Sequence, residues 1–205
     1  MAKIITIAHQ KGGVGKSTLA INLALCFQDQ LSVALVDTDL QGSLYHIRED
    51  FPELAVIGAD KVTEIEKLDY DLIIVDTPPY LSSKLPELFL HSDFILVPTK
   101  AGFFDVMAIR STLALIKEAQ RKSPHLKAGI ALNMVKPRSG ITQDVADLLQ
   151  SMDTPLLKTR LHDRVSIARS SMTGGILNGT DKRAKEEIMA LTEEVVEQIS
   201  AEIAI

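Results

Sequence analysis

Residues 4–18 read IITIAHQKGGVGKST, and this stretch decides the fold. Residues 4–8 have the β-branched, apolar composition of a buried strand, and a helix is predicted to begin at Ser17. The intervening glycines let the backbone turn its N–H groups toward a polyphosphate, and the helix N-terminus adds partial positive charge. The stretch therefore predicts a phosphate-binding loop between a strand and a helix.

The loop follows the pattern G-x-x-x-x-G-K-[ST] except that Gln10 stands where the first glycine would be. In this pattern Lys16 reaches the β- and γ-phosphates, and the Ser17 hydroxyl binds Mg²⁺. A second lysine, Lys11, precedes the glycines. The predicted nucleotide-binding residues are the loop and the first helical turn: Lys11, Gly12, Gly13, Val14, Gly15, Lys16, Ser17 and Thr18.

Carboxylates follow two further apolar runs. Asp37 and Asp39 end the first run and Asp76 ends the second, before a pair of prolines. The carboxyl ends of parallel strands are where α/β folds bind their ligands. Beside a phosphate loop, Asp76 is predicted to serve the Mg²⁺ site.

The sequence KGGVGKS at residues 11–17 resembles the deviant Walker A box of the ParA/MinD family of ATPases. In that family the extra lysine, here Lys11, reaches across a dimer to the nucleotide held by the other subunit. The resemblance thus implies that ATP is the nucleotide and that Lys11 and Lys16 are catalytic.

The D-x-D of Asp37 and Asp39 resembles the A′ box (D-x-D-P-Q-G) of the same family, with Leu40 in place of the proline. It implies that Asp39 orients the attacking water, and that Asp37 joins Ser17 and Asp76 at the metal. Asn133 resembles the family residue that hydrogen-bonds adenine, although a strand-end Asn that makes a turn remains an alternative.

The rest of the chain alternates short apolar runs with amphipathic stretches. This βαβ rhythm predicts a doubly wound, mostly parallel sheet of about seven strands flanked by helices, in one domain spanning residues 1–205. The predicted strands cover residues 4–8, 33–37, 55–58, 72–76, 94–97, 128–133 and 156–159. The predicted helices cover 17–27, 62–68, 85–91, 106–121, 141–152 and about 182–203, the last with Asp181 as N-cap. Residues 158–180 show no regular pattern beyond the last predicted strand.

Composition narrows the function. The net charge of −5 argues against a protein that coats nucleic acid with its whole surface, but a local basic patch stays possible. The single Cys26 excludes a cysteine-ligated cluster within one chain and suits a reducing cytoplasm. No leader segment is expected, and no apolar run approaches the roughly 20 residues that span a bilayer.

The resemblance covers nearly the whole chain and is strongest for small partition ATPases that lack an N-terminal helix-turn-helix extension. It implies a cytoplasmic, nucleoid-associated protein that forms an ATP-dependent homodimer and binds duplex DNA without sequence preference. A ParB-like or adaptor protein would stimulate hydrolysis. The predicted DNA contacts are the basic residues late in the chain: Arg160, Arg164, Arg169, Lys182 and Arg183.

Three other functions stay open. A MinD-like membrane ATPase would need a basic amphipathic tail, whereas residues 193–205 are acidic and contain no Lys or Arg. A biosynthetic ligase of the dethiobiotin-synthetase kind is compatible with the fold. A nucleotide-gated adaptor would have no need of Asp39, so its presence favours turnover.

Overall fold

The computed structural model describes residues 2–39, 43–80, 82–137 and 140–200. They contain a seven-stranded sheet in the order β3-β2-β4-β1-β5-β6-β7, and each neighbouring pair is parallel. The predicted doubly wound parallel sheet is therefore confirmed. The strands are β1 (Lys3–Ile7), β2 (Val33–Asp37), β3 (Ala55–Ile57), β4 (Leu72–Asp76), β5 (Phe94–Thr99), β6 (Lys127–Val135) and β7 (Leu156–His162).

Helices cover both faces of the sheet, as buried parallel strands require. Helices α1 and α7 pack with strand residues such as Ile5 and Ile7 in one apolar core, and α3, α4 and α5 pack in the other. The helices are α1 (Lys16–Phe27), α2 (Ser43–His46), α3 (Leu85–His91), α4 (Phe103–Lys122), α5 (Ile141–Gln150), α6 (Val165–Arg169) and α7 (Lys182–Ser200).

The strand order places the ligand-binding edge. From the central β1 the chain runs to β2 on one side, and after β4 it crosses to β5 on the other side. The crevice at such a reversal, outside the carboxyl ends of the strands, is where open α/β sheets bind ligands. The phosphate loop follows β1 directly, so it lies at this crevice.

The segment after β3 and the end of β5 differ from the prediction. The helix predicted at 62–68 is instead 3₁₀ over Ala59–Lys67, with non-helical dihedrals at Glu64. Its apolar residues Val62, Ile65 and Leu68 are spaced by three, which suits the three residues per turn of a 3₁₀-helix. Strand β5 continues through Pro98, because β1 pairs with β5 only as far as Leu96 and Pro98 has β6 alone as its neighbour.

Residues 158–180 are more regular than predicted. Strand β7 extends to His162, and the short helix α6 follows before a Gly-rich turn. Asn22 of α1 stabilises this segment: its amide donates to the Ser170 Oγ at 2.7 Å and accepts from the Ile176 N–H at 2.7 Å. These hydrogen bonds join residues 148 and 154 positions apart, and such distant contacts leave no periodic pattern in the sequence. The predicted cap of α7 is confirmed, since Asp181 accepts the Ala184 N–H at 3.1 Å.

Candidate phosphate and magnesium site

The phosphate loop adopts backbone conformations that its glycines make possible. Gly13 and Gly15 have φ of 69° and 91°, in the left-handed region that a side chain disfavours. A Cβ on Gly15 would also lie 2.4 Å from the Asn133 Nδ2 atom. Helix α1 then begins at Lys16, so its free N–H groups face the loop.

Ser17 and Asp76 form a hydrogen-bonded pair beside the loop. The Ser17 Oγ donates to Asp76 Oδ2 at 2.6 Å, and Asp76 is 2% exposed. Burial raises the pKa of Asp76 to about 7, against the opposing effects of the Ser17 hydrogen bond and the Lys16 charge. A carboxylate held in this way gains most from a nearby cation.

Lys16 lies within the electrostatic influence of two acidic residues. Its side chain is buried, and burial lowers its pKa, while the charges of Asp76 and Asp39 act in the opposite direction. The structure thus brings together Lys16, Asp39 and Asp76, which are at most 60 positions apart in the sequence.

Asp37 has a structural task of its own. Its Oδ1 accepts the Asp39 N–H at 3.0 Å, and its Oδ2 accepts the N–H groups of Leu44 and Tyr45 at 2.8 and 3.1 Å. Asp37 therefore holds the start of α2 and orients Asp39. Its predicted place at the metal stays a prediction. Residues 40–42, which include Leu40 of the predicted A′ box, lie outside the described residues.

Lys11 is held at both ends within its own chain. Its backbone N–H donates to His9 Nδ1 at 2.7 Å, and its Nζ forms an ion pair with Asp105 Oδ1 at 2.6 Å. Asp105 lies in the first turn of α4, against the Cα of Gly102. The predicted catalytic Lys11 is thus directed toward α4 in the single chain.

Three buried polar atoms near the loop have no hydrogen-bond partner within the described part of the chain. They are the amide nitrogen of Gln10, the Nε2 of His9 and the Oδ1 of Asp76. Because buried polar groups are nearly always satisfied, such atoms suit a polar ligand. An unpartnered donor suits a phosphate oxygen, and an unpartnered acid oxygen suits a metal ion.

The same residues suit Mg²⁺ in its usual mode. No group of three or more His, Cys, Asp or Glu side chains within residues 2–39, 43–80, 82–137 and 140–200 is arranged as a metal site. Mg²⁺ usually takes only one or two protein ligands and keeps waters and substrate phosphates for the rest. Ser17 and Asp76 could supply that share.

Asn133 contacts the loop. It is 3% exposed, and its Nδ2 donates to the Val14 carbonyl at 2.8 Å while its Oδ1 accepts the Met134 N–H at 2.9 Å. The hydrogen bond to adenine stays a prediction, and the contact with the phosphate loop is a finding that the sequence did not suggest.

The predicted DNA contacts are only partly brought together. Arg164 donates to Glu187 Oε1 at 2.7 and 3.2 Å, and it lines a groove of about 620 Å³. Arg183 also lines this groove, together with Asp163, Glu186 and Glu187. Arg169 and Lys182 are exposed, and each lies within a few residues of Arg164 or Arg183 in the sequence. Arg160 is half-buried on β7. The groove is therefore of mixed charge rather than uniformly basic.

Sequence reasoning missed His9 and Asp105. Each is an ordinary residue by local pattern, and Asp105 is 94 positions from the lysine it binds. The one available signal was the position of Asp105 immediately before the helix predicted at residues 106–121, where an acidic residue interacts favourably with the helix N-terminus.

Within the described residues, no helix has the length and apolar character needed to cross a membrane.

Comparison with known proteins points to one family. The CobQ/CobB/MinD/ParA nucleotide binding domain matches residues 5–177. The maintenance of carboxysome distribution protein A of Halothiobacillus neapolitanus is 29% identical over 207 residues, covering 94% of this chain and 95% of that protein.

Two solved structures share the fold. The septum site-determining protein MinD of Pyrococcus horikoshii, complexed with Mg-ADP, has a TM-score of 0.73 at 21% identity, with 100% of both chains covered. Cobyrinic acid a,c-diamide synthase of Mycobacterium smegmatis, with bound ADP and magnesium, has a TM-score of 0.72 at 20% identity, covering 100% of this chain and 96% of that one.

Proposed function

Because the chain belongs to the CobQ/CobB/MinD/ParA nucleotide-binding family, we propose that it is a Mg²⁺-dependent ATPase that positions or partitions a cargo. One observation carries the proposal: Lys16, Asp39 and the Ser17–Asp76 pair converge beside a glycine loop at the carboxyl ends of β1, β2 and β4. A carrier of bound nucleotide would need the loop, whereas a hydrolase also needs the acidic groups around it.

Each residue has a task in hydrolysis. The loop N–H groups and the Lys16 ammonium hold the β- and γ-phosphates, and Ser17 and Asp76 hold Mg²⁺. The ion, when bound, supplies positive charge beside the phosphates. Asp39 accepts a hydrogen bond from the attacking water, and this bond orients the water oxygen toward the γ-phosphorus.

Lys11 links turnover to association. Its ammonium lies against Asp105 in the single chain. In the proposed homodimer it turns to the nucleotide of the other subunit, where a cation offsets charge that develops during phosphoryl transfer. ATP binding then favours the dimer, and hydrolysis separates it.

DNA and a partner protein complete the proposed cycle. The dimer binds duplex DNA without sequence preference through basic residues of the segment from β7 to α7, which makes it nucleoid-associated in the cytoplasm. A ParB-like or adaptor protein on the cargo stimulates hydrolysis and release. The relative that distributes carboxysomes supports a positioning role, since this chain covers 95% of it.

Two variants test the switch. Asp39→Ala should bind ATP and accumulate as a dimer, because water is no longer oriented. Lys11→Ala should bind ATP but lose both turnover and the dimer. Light scattering with ATP and Mg²⁺, together with phosphate release, measures both properties. Wild-type turnover in both variants would refute these roles.

The ligase alternative has its own signature. The likeness to cobyrinic acid a,c-diamide synthase extends over the whole chain, although at 20% identity it establishes the fold alone. Turnover that requires a small carboxylic or amine substrate and ignores duplex DNA would favour the ligase. Stimulation by duplex DNA and by a cargo-bound partner would favour the positioning ATPase.

A further inference from the structure

Asn133 and Met134 form a wall of the phosphate loop on the side of β6. Asn133 is buried and uses both ends of its amide: one nitrogen donates to the Val14 carbonyl, and the oxygen accepts the Met134 N–H. Val14 is itself 0% exposed. The buried Asn133–Val14 hydrogen bond therefore connects β6 to the loop, and the bond to the Met134 N–H, within β6, fixes the orientation of the amide.

The backbone at this wall is unusual. Met134 has a φ of 53°, and it is the single non-glycine residue with positive φ in the described part of the chain. The β6–β7 register also shifts between Leu132 and Val135. Strained dihedrals and strand irregularities cluster at functional sites, where they aim a side chain.

The side chain is aimed at Gly15. A Cβ on Gly15 would lie 2.4 Å from Asn133 Nδ2 and 3.5 Å from Met134 Cε. Gly15 immediately precedes Lys16, so the amide of Asn133 lies against the backbone where the loop ends and helix α1 begins. A displacement here would move the loop N–H groups and the Lys16 stem together.

We propose that Asn133 is a positioning residue for phosphate binding: it clamps Val14 and Gly15 so that the loop N–H groups and Lys16 face the phosphates. This inference rests on the proposed nucleotide-binding function. It differs from a contact with adenine, because a clamp on the loop affects every ligand that carries the phosphates, whatever its base.

Binding titrations with three ligands separate the two roles. Calorimetry with ATP, GTP and inorganic tripolyphosphate, each with Mg²⁺, is performed on the wild type and on Asn133→Ala. The variant leaves the buried Val14 carbonyl without its donor. The affinity for each of the three ligands should therefore fall by the same factor, about tenfold.

A second variant and a control protect the test. Asn133→Ser keeps a hydroxyl that can accept the Met134 N–H but is too short to reach Val14, so it should lose affinity in the same way even if Asn133→Ala folds poorly. Asn178 makes a similar bond, to the Gly174 carbonyl at 2.7 Å, in an exposed turn. Asn178→Ala should leave all three affinities unchanged.

The outcomes are distinct. An equal loss for the three ligands supports the clamp. A loss for ATP alone, with tripolyphosphate unchanged, would overturn it and assign Asn133 to the base, and undiminished binding of all three would also overturn it. If the wild type binds none of the ligands, the proposed function fails, and the clamp fails with it.

Discussion

At the scale of single residues, the ion pair of Lys11 with Asp105 opposes the proposed dimer. The Lys11 ammonium lies 2.6 Å from an Asp105 oxygen, and the Asp105 side chain is only 13% exposed. Lys11 must leave this partner before it can contact another subunit. Asp105→Asn should therefore strengthen the ATP-dependent dimer by about fivefold, equivalent to about 1 kcal/mol.

Sedimentation with a non-hydrolysable ATP analogue measures that dimer. The matched control is Asp153→Asn, which releases Lys117 from an exposed ion pair elsewhere and should change nothing. A dimer that is equally strong or weaker in Asp105→Asn would show that the pair does not restrain Lys11.

His9 makes the stability of the protein depend on pH. Burial, and then the charge of Lys16, lowers its pKa from 6.5 to about 4, so the folded protein favours neutral imidazole. The stabilisation is complete above pH 6.5 and is lost as the pH falls toward 4, because the unfolded chain binds the proton first. Between pH 7 and pH 5 the contribution falls by about 2 kcal/mol.

The variant His9→Asn isolates this effect, since an Asn oxygen can accept the Lys11 N–H without titrating. Urea unfolding measures the free energy of unfolding at pH 7 and at pH 5. From pH 7 to pH 5 this free energy should fall by about 2 kcal/mol more in the wild type than in the variant. Equal declines would exclude His9 as the cause.

At the scale of elements, helix α7 protects the edge of the sheet. β7 has β6 on one side only, and Glu194 of α7 accepts the N–H groups of Lys158 and Thr159 at 2.6 and 2.9 Å. Glu187, two turns earlier on the same helix, accepts the His162 N–H at 2.9 Å. Unpaired strand edges invite pairing with other chains, so these glutamates shield the exposed edge.

Removal of one glutamate tests this shield. Glu194→Ala should lower the free energy of unfolding by about 1–2 kcal/mol, because two strand N–H groups lose a charged acceptor. Its exposed neighbour provides the control, and Glu193→Ala should stay within about 0.5 kcal/mol of the wild type. Urea unfolding measures both, and equal values for the two variants would contradict the protective role.

At the scale of the whole molecule, an acidic protein must bind DNA through a concentrated basic surface. Arg164 is engaged by Glu187, so the exposed Arg169 is the sharper choice for a test. A dimer presents Arg169 twice. Arg169→Ala should therefore weaken ATP-dependent duplex binding at every sequence and lower the salt slope by about 2 on a log-log plot.

Band-shift titrations across a salt series measure that slope. Arg121→Ala, an exposed arginine at the end of α4, should leave it unchanged. Failure of the wild type to bind duplex DNA with ATP, even at low salt, would refute the DNA step while leaving the phosphate chemistry intact.

The sequence determined the class of fold and the core of the site. Apolar runs such as residues 72–76 predict strands, because a strand buried on both faces needs apolar side chains along most of its length. Residues 11–17 likewise predict the phosphate-binding loop, because such a loop needs glycines and a lysine at fixed local spacing. Lys16, Ser17 and Asp76 could be placed from these local patterns alone.

Only the tertiary structure decided which residues support that core. Asp105 binds Lys11, Asn133 clamps Val14, and Glu194 caps β7, each across 36 or more positions of the chain. Such contacts depend on the sheet order and on the twist and register of its strands, which no local period encodes. Local spacing thus specifies the chemical groups, whereas the packing of distant elements sets their partners, their pKa values and their direction.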